Sequence, residues 1–298
     1  MKIVSLIPSA TEIIYSLNLE EHLIGVSHEC DYPKDVQKLP KLTKSKINIS
    51  KSSIEIDRDI NKILKKSLSV YEVNTKLLKK LDPDIIITQS QCSVCAVSIK
   101  EVKKSLEQLI NKKPILIDLK ANKFNDVLKD IRFVGEKLNK RRKSNLLVKK
   151  MKDEVKKIKT QLLKTNIKNV LCIEWIEPLM IAGNWVPELV KFAGGKCILS
   201  EVGLKSNFVK TNELLSERFE IVIFMPCGFN IKRSKKEIMK SKIKFTKIFK
   251  EKKVFIVDGN KYFNRPGPDL LESIRILAEI INPDIFPSKP NIKRWIPI

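Results

Sequence analysis

The sequence predicts an α/β protein of two Rossmann-like lobes with parallel sheets, joined by one long α-helix. Three observations predict it. Short apolar runs of buried-strand type recur along the chain, separated by segments with helical spacing. These runs end repeatedly in Ser, His, Cys, Trp, Tyr or Arg, as strands do when their carboxyl ends share one ligand-bearing sheet edge. Between residues 123 and 166 the alternation stops, and only helical spacing remains. The expected division is a lobe over 1–122, a helical segment with the linker over 123–166, and a lobe over 167–298.

Each element has a local reason. Ile3–Leu6 reads as the first strand, and Ser9 reads as the cap of a helix over Ala10–Leu19, with Glu12 completing a capping box. Leu23–Val26 is the second strand, and Asp31-Tyr32-Pro33 is a turn, because the residue before proline avoids the helical region. Ser53–Lys66 and Asn74–Leu81 have helical spacing, the second capped by Asn74. Asp82-Pro83-Asp84 leads into the strand Ile85–Thr88. Ser98–Ile110 reads as helix and Pro114–Ile117 as strand. Phe124, Val127, Leu128, Ile131, Val134 and Leu138 mark one helix. Leu146, Leu147, Met151, Val155, Ile158 and Leu162 mark a second, on the order of 30 Å long at the helical rise per residue. In the second half, Val170–Ile173, Ile221–Met225 and Val254–Val257 read as strands. Val186–Ala193 reads as a helix stopped by Gly194-Gly195. Thr211–Ser216 and Lys232–Met239 read as helices, and Pro268 opens a last one over Asp269–Ile281.

Composition narrows the function. The chain has 298 residues, 43% of them hydrophobic, enough for two real cores. Its net charge of +24 is read as a solvated, lysine-rich surface. The densest basic runs, Lys137–Lys168 and Lys232–Lys253, read as helix surfaces. Neither carries the interleaved aromatics of a base-stacking platform, so nucleic acid is not the expected partner. No segment approaches the run of about 18 apolar residues that a membrane span needs, and Ile3–Leu6 reads as a core strand rather than a signal peptide. A cytoplasmic protein is therefore expected, with its six cysteines as thiols or metal ligands. There is no nucleophile elbow, no H-E-x-x-H and no phosphate-binding Gly-rich loop, so the expectation is binding rather than catalysis.

The strand ends supply the candidate site. From the first half they are Pro8, Ser9, Thr11, His28, Glu29, Tyr32 and Gln89; from the second, Glu174, Trp175, Trp185, Cys227, Phe229, Tyr262, Phe263 and Arg265. His28 and Cys30 flank Glu29, and alternate residues of an extended loop point the same way. Together with Cys92 and Cys95 they would suit zinc or another soft metal. The C-x-x-C pair also suits a redox dithiol, or simply small residues in a tight loop. Cys227 is placed to close this group from the second lobe. Arg265 sits in a loop stiffened by Pro266 and Pro268, beside Tyr262 and Phe263, which favours ligand contact.

Several motifs together resemble a known family. They are Ile3–Glu12, the stretch Gly25-Val26-Ser27-His28-Glu29-Cys30-Asp31-Tyr32-Pro33, and Leu81-Asp82-Pro83-Asp84-Ile85-Ile86. In the second half they are Trp185-Val186-Pro187-Glu188-Leu189 and Ala193-Gly194-Gly195. Over nearly its whole length the chain resembles the helical-backbone (class III) solute-binding proteins of ABC importers, within them the vitamin B12-binding branch. The resemblance implies a non-catalytic, two-lobed binder of cobalamin or a related corrinoid, with an ABC importer as partner. A corrinoid is a wide amphipathic disc, needing aromatic and apolar faces and hydrogen-bond donors for its amides. Tyr32, Trp175, Trp185, Phe229, Tyr262 and Phe263 are the candidate faces, Trp185 foremost, and His28 is a candidate axial ligand to cobalt. Three departures from the family are the apparent lack of an export signal, the added thiols, and the absence of recognisable permease-docking carboxylates. They point to a cytoplasmic subgroup, with a zinc or redox protein built on His28, Cys30, Cys92 and Cys95 as the alternative.

Overall fold

A computed structural model of the chain describes residues 1–66, 69–91, 99–107, 113–243, 245–288 and 294–298. Cys92 and Cys95 lie outside the described residues. The chain forms two units: 1–51, 55–121 and 126–148 make the first, and 52–54, 122–125 and 149–298 make the second. The α/β class read from the sequence is the observed one, with a parallel sheet at the centre of each unit.

The first unit runs β1 (Ile3–Ser5), α1 (Pro8–Ser16), β2 (Leu23–Val26), β3 (Thr43–Ser45), α2 (Ser53–Lys65), β4 (Tyr71–Val73), α3 (Thr75–Leu81), β5 (Ile85–Gln89), α4 (Ile99–Glu107), β6 (Ile115–Leu119), α5 (Phe124–Lys137) and the start of α6 (Arg141–Gln161). Its main sheet has the order β2-β1-β5-β6, with every pairing parallel. All residues of β1 and β5 are buried, as expected of parallel strands covered on both faces. The boundary between the units falls within the 21-residue α6, between Val148 and Lys149.

Two local readings change. Helix α1 begins at Pro8, not after Ser9, because proline is preorganised for the first helical position. Ser9 therefore lies inside the helix, and the residue before the helix, Ile7, makes no side-chain cap. The antiparallel pair β3–β4, Thr43 opposite Val73, was not foreseen; strands of three residues are too short to show a period.

The second unit continues with β7 (Lys168–Trp175), β8 (Met180–Ile181), α7 (Val186–Phe192), β9 (Gly195–Cys197), β10 (Asn207–Phe208), α8 (Thr211–Leu215), β11 (Ile221–Phe224), α9 (Ile231–Lys240), α10 (Phe245–Ile248), β12 (Lys253–Val257), α11 (Leu270–Ile281) and β13 (Trp295–Pro297). The sheet order is β10-β8-β7-β11-β12-β13, and β9 pairs in parallel with β7. Strands β7, β11 and β12 are parallel; β8, β10 and β13 pair antiparallel, with β10 and β13 at the edges and β8 between β10 and β7. Helix α7 is capped by Ala193 and followed by Gly194, whose φ of +81° is the left-handed conformation glycine adopts at little cost. At Gly259, just after β12, a Cβ would come within 2.3 Å of the Pro226 carbonyl oxygen, so the loops after β11 and β12 meet closely only because this residue has no side chain. Trp295 is held in the edge strand β13, edge-on to Phe255 at 5.3 Å.

Candidate functional site

In the first unit, the parallel order places the carboxyl ends of β1, β2, β5 and β6 on one edge. Pro8, Ser9 and Thr11 follow β1, and all three are buried. The Thr11 hydroxyl lies 2.9 Å from Ser5 Oγ and 3.2 Å from Cys30 Sγ. These residues therefore hold the edge together from inside. Gln89, ending β5, is also buried.

His28 is the centre of the polar group after β2. Its backbone N–H donates to Thr43 Oγ1 at 3.1 Å, and its ring Nδ1 lies 2.7 Å from the same oxygen. Ser27 Oγ is 2.9 Å from Thr43 Oγ1 and accepts the Glu29 N–H at 3.3 Å. The Tyr71 ring packs at 5.2 Å from the imidazole, and the Tyr71 hydroxyl donates to Glu29 Oε1 at 2.7 Å. Burial, with Lys41 nearby, pulls the His28 pKa below its ordinary value, so the ring is neutral at pH 7. Among the described residues Nε2 makes no hydrogen bond. The Thr43 and Ser27 hydroxyls are rotors. If Thr43 donates to Nδ1, Nε2 carries the proton; if Nδ1 donates to Thr43, Nε2 offers a lone pair.

The sequence reading put His28 and Cys30 on one side of an extended loop, and this is corrected. Residues 27–30 form a turn, closed by the Cys30 N–H donating to Ser27 O at 3.1 Å, so the period of two does not apply. His28 faces Thr43 and Tyr71, whereas the buried Cys30 thiol faces Thr11. Among the described residues no group of three or more His, Cys, Asp or Glu side chains is arranged to hold a metal ion. The expected zinc set of His28, Cys30, Cys92 and Cys95 thus has two members outside the described residues and two that diverge. Tyr32 is 40% exposed and is the open aromatic of this edge.

In the second unit, Glu174 and Trp175 end β7, Cys227 and Phe229 follow β11, and Tyr262, Phe263 and Arg265 follow β12. These three parallel strands again share one edge. Glu174 Oε2 accepts from Ser206 Oγ at 2.5 Å, and its backbone carbonyl accepts from the Cys227 N–H at 3.0 Å. The half-buried Trp175 packs on Phe229 at 5.2 Å between ring centroids, and its indole donates to Glu177 O at 3.1 Å. The Arg233 guanidinium lies over the other aromatic of this pair, 3.8 Å from the Phe229 centroid. Cys227 is half-buried. Tyr262 is half-buried beneath the Lys261 ammonium, while Phe263 is fully buried. Arg265 is buried at 4% exposure in the tight turn closed by the Gly267 N–H on its carbonyl. Burial pushes the nearby Asp269 carboxyl up, against the opposing pull of Lys261 and Arg265.

Trp185 does not present its ring. It is 6% exposed, and its indole N–H donates to the Phe263 carbonyl at 2.9 Å. The Gly183-Asn184 loop before it has Asn184 at a φ of +52°. Sequence reasoning also missed Thr43 and Tyr71, the two residues that set the position of His28. The one signal for them was a Thr and a Tyr within short polar segments, where no periodicity could single them out.

Comparisons with known proteins agree with this fold. A family model described as periplasmic binding protein matches residues 3–260. An uncharacterized ABC transporter substrate-binding lipoprotein of Bacillus subtilis, YvrC, is 27% identical over 293 residues, covering 96% of this chain and 81% of that protein. A vitamin B12-binding protein of Vibrio vulnificus is 32% identical over 97 residues, 28% of this chain and 36% of that protein. Among solved structures, a periplasmic heme-binding protein of Pseudomonas aeruginosa superposes with a TM-score of 0.74 at 13% identity, covering 99% of this chain and 97% of that one. The periplasmic vitamin B12-binding protein BtuF of Vibrio cholerae superposes with a TM-score of 0.65 at 16% identity, covering 96% and 98%. These relatives overturn the expectation of a cytoplasmic protein, since they are periplasmic or lipoprotein solute binders. They are binding proteins rather than enzymes. No described helix is long and apolar enough to cross a membrane.

Proposed function

This chain belongs to the periplasmic binding protein family, and on that premise we propose that it binds cobalamin or a related corrinoid as the substrate-binding component of an ABC importer. The observation that carries the corrinoid reading is His28. A neutral, half-buried imidazole with Nε2 unengaged among the described residues stands at the carboxyl edge of the first sheet. It lies within the Gly25–Pro33 motif that resembles corrinoid binders.

His28 suits this ligand in either tautomer. As an N–H donor, Nε2 can satisfy a peripheral amide carbonyl of a corrin ring. As a lone-pair donor, it can occupy an axial position on the metal. Passing from one to the other exchanges the ring proton between Nε2 and Nδ1 through solvent, and the Thr43 hydroxyl turns from donor to acceptor while the ring stays in place. Each unit carries incompletely buried aromatic surface of the kind that suits the apolar face of such a disc: Tyr32 in the first, Trp175 and Tyr262 in the second. Arg265, held in its turn, is a cationic group of the second unit suited to polar substituents. The partial match to a vitamin B12-binding protein supports the same ligand.

The test is a titration of the purified protein with cobalamin and, separately, with hemin, followed by visible absorbance and equilibrium dialysis. Saturable cobalamin binding that weakens at least about tenfold in His28→Ala supports the reading. A spectral shift lost in the same variant marks axial ligation, and binding without a shift marks the amide contact. Binding of hemin with no uptake of cobalamin replaces the corrinoid by heme, and uptake of neither rejects both.

A further inference from the structure

The positive charge of this chain is concentrated. Residues 137–168 hold thirteen Lys or Arg against only Asp153 and Glu154, and residues 232–253 hold eleven against only Glu237 and Glu251. These two segments carry +11 and +9 of a total of +24, so the rest of the chain is close to neutral. The second segment includes α9, whose two sides differ sharply. Ile231 and Ile238 pack against the core of the second unit, and Ser234 is fully buried. Lys232, Lys235, Lys236, Met239 and Lys240 are exposed. Their spacing of three, one, three and one places them on a single helical face. Met239, at 77% exposure, lies in the middle of that face.

An ordinary solvated surface mixes both signs of charge. This face does not. Glu237, the one acid on the helix, accepts the backbone N–H of Ser53 at 2.5 Å. Among the described residues none of the four lysines has an acidic partner within ion-pair distance. Four like charges held together on a short helix repel one another, and an anionic partner relieves that repulsion.

We propose that the outward face of α9 is a docking surface for an anionic lipid bilayer. Two features select lipid over nucleic acid. The exposed charges on the face are all lysine, a point charge on a flexible stem suited to a diffuse layer of headgroups, and the one arginine at its margin, half-buried Arg233, is stacked on the Phe229 ring. The apolar residue among them is an unbranched Met, able to enter the headgroup region; no aromatic ring is offered for base stacking. Basic helices with an apolar component bind bilayers by this combination.

The experiment is co-sedimentation of the full chain with vesicles of phosphatidylcholine alone, and of phosphatidylcholine with phosphatidylglycerol in equal parts. The wild type should partition onto the anionic vesicles only, and release as the salt rises past ~0.15 M. Substituting Lys232→Gln, Lys235→Gln, Lys236→Gln and Lys240→Gln together should weaken partitioning at least about tenfold, since each lysine near such a surface contributes roughly fivefold. The matched variant Lys149→Gln, Lys150→Gln, Lys152→Gln and Lys156→Gln on α6 loses the same charge and should change binding less than about threefold. Met239→Ser keeps every charge and should lower partitioning about threefold or more. Circular dichroism confirms that each variant is folded. Equal losses in the two quadruple variants, an unchanged Met239→Ser, or stronger binding to random duplex DNA than to the vesicles would each overturn the assignment.

Discussion

Nδ1 of His28 and Oγ1 of Thr43 lie 2.7 Å apart, and the same threonine oxygen accepts the His28 backbone N–H at 3.1 Å. One hydroxyl thus fixes both the backbone and the ring of the residue proposed to meet the ligand. Replacing Thr43 by Val keeps the shape and removes both bonds. A half-buried N–H is then left unmatched, at a cost toward the low end of about 1–3 kcal/mol. Thr43→Val is expected to lower the urea midpoint modestly and to weaken cobalamin binding about tenfold, while Thr43→Ser retains most of both. If Thr43→Val binds as the wild type does, His28 is not held by this contact.

The His28 titration gives a second expectation. Its folded pKa lies below the ordinary 6.5, first through burial and then through Lys41. A group whose proton is disfavoured in the fold costs nothing above pH 6.5, where both states are neutral. Below that the unfolded chain takes up the proton first, so stability falls as the pH drops toward the folded pKa. Lys41→Met should raise the His28 pKa, as read by the NMR shift of its ring protons against pH. The acid limb of the stability curve should flatten with it. An unmoved pKa would leave burial as the sole cause.

The strands were legible because a parallel strand covered on both faces is apolar throughout: Ile85, Ile86 and Ile87 allow no other reading. The cap at Asn74 was legible for a local reason, since its side chain accepts the Leu77 N–H. The short antiparallel strands β8, β10 and β13 were not legible. They are two or three residues long, too short to show a period, and β13 is specified by a partner distant in sequence, as Trp295 is by Val257. At the site, the positions on the strand ends could be read, but the orientations could not. His28 and Cys30 part company because a turn replaces an extended loop, and Trp185 is turned inward by a carbonyl 78 residues away.

Trp185 carries a corresponding prediction. With 6% exposure and its indole donating to Phe263 O at 2.9 Å, it acts through packing. Trp185→Ala should cost about 3–5 kcal/mol of stability. Trp185→Phe, which keeps most of the volume and loses the hydrogen bond, should cost about 1–2 kcal/mol. Denaturant unfolding followed by circular dichroism measures both. A cobalamin affinity that drops in Trp185→Phe while the unfolding midpoint stays put would return this residue to the ligand.

The C-terminal strand offers the last test. Arg294 is 6% exposed and bridges Glu272 and Glu279, while the Trp295 indole donates to the other oxygen of Glu279 at 3.1 Å. The pairs lie where β13 adds to the edge of the sheet beside β12. Removing the cation strands a carboxylate that is 8% exposed, and a buried charge without its partner costs about 3–5 kcal/mol. Arg294→Met alone should therefore destabilise the second unit by that amount. Arg294→Met combined with Glu279→Gln removes both charges and leaves a side chain that still accepts from Trp295, so it should recover at least half of the loss. Hydrogen exchange at the β12 and β13 amides locates the effect. If the double variant is no more stable than Arg294→Met, the arginine holds this edge by its packed stem rather than by its charge.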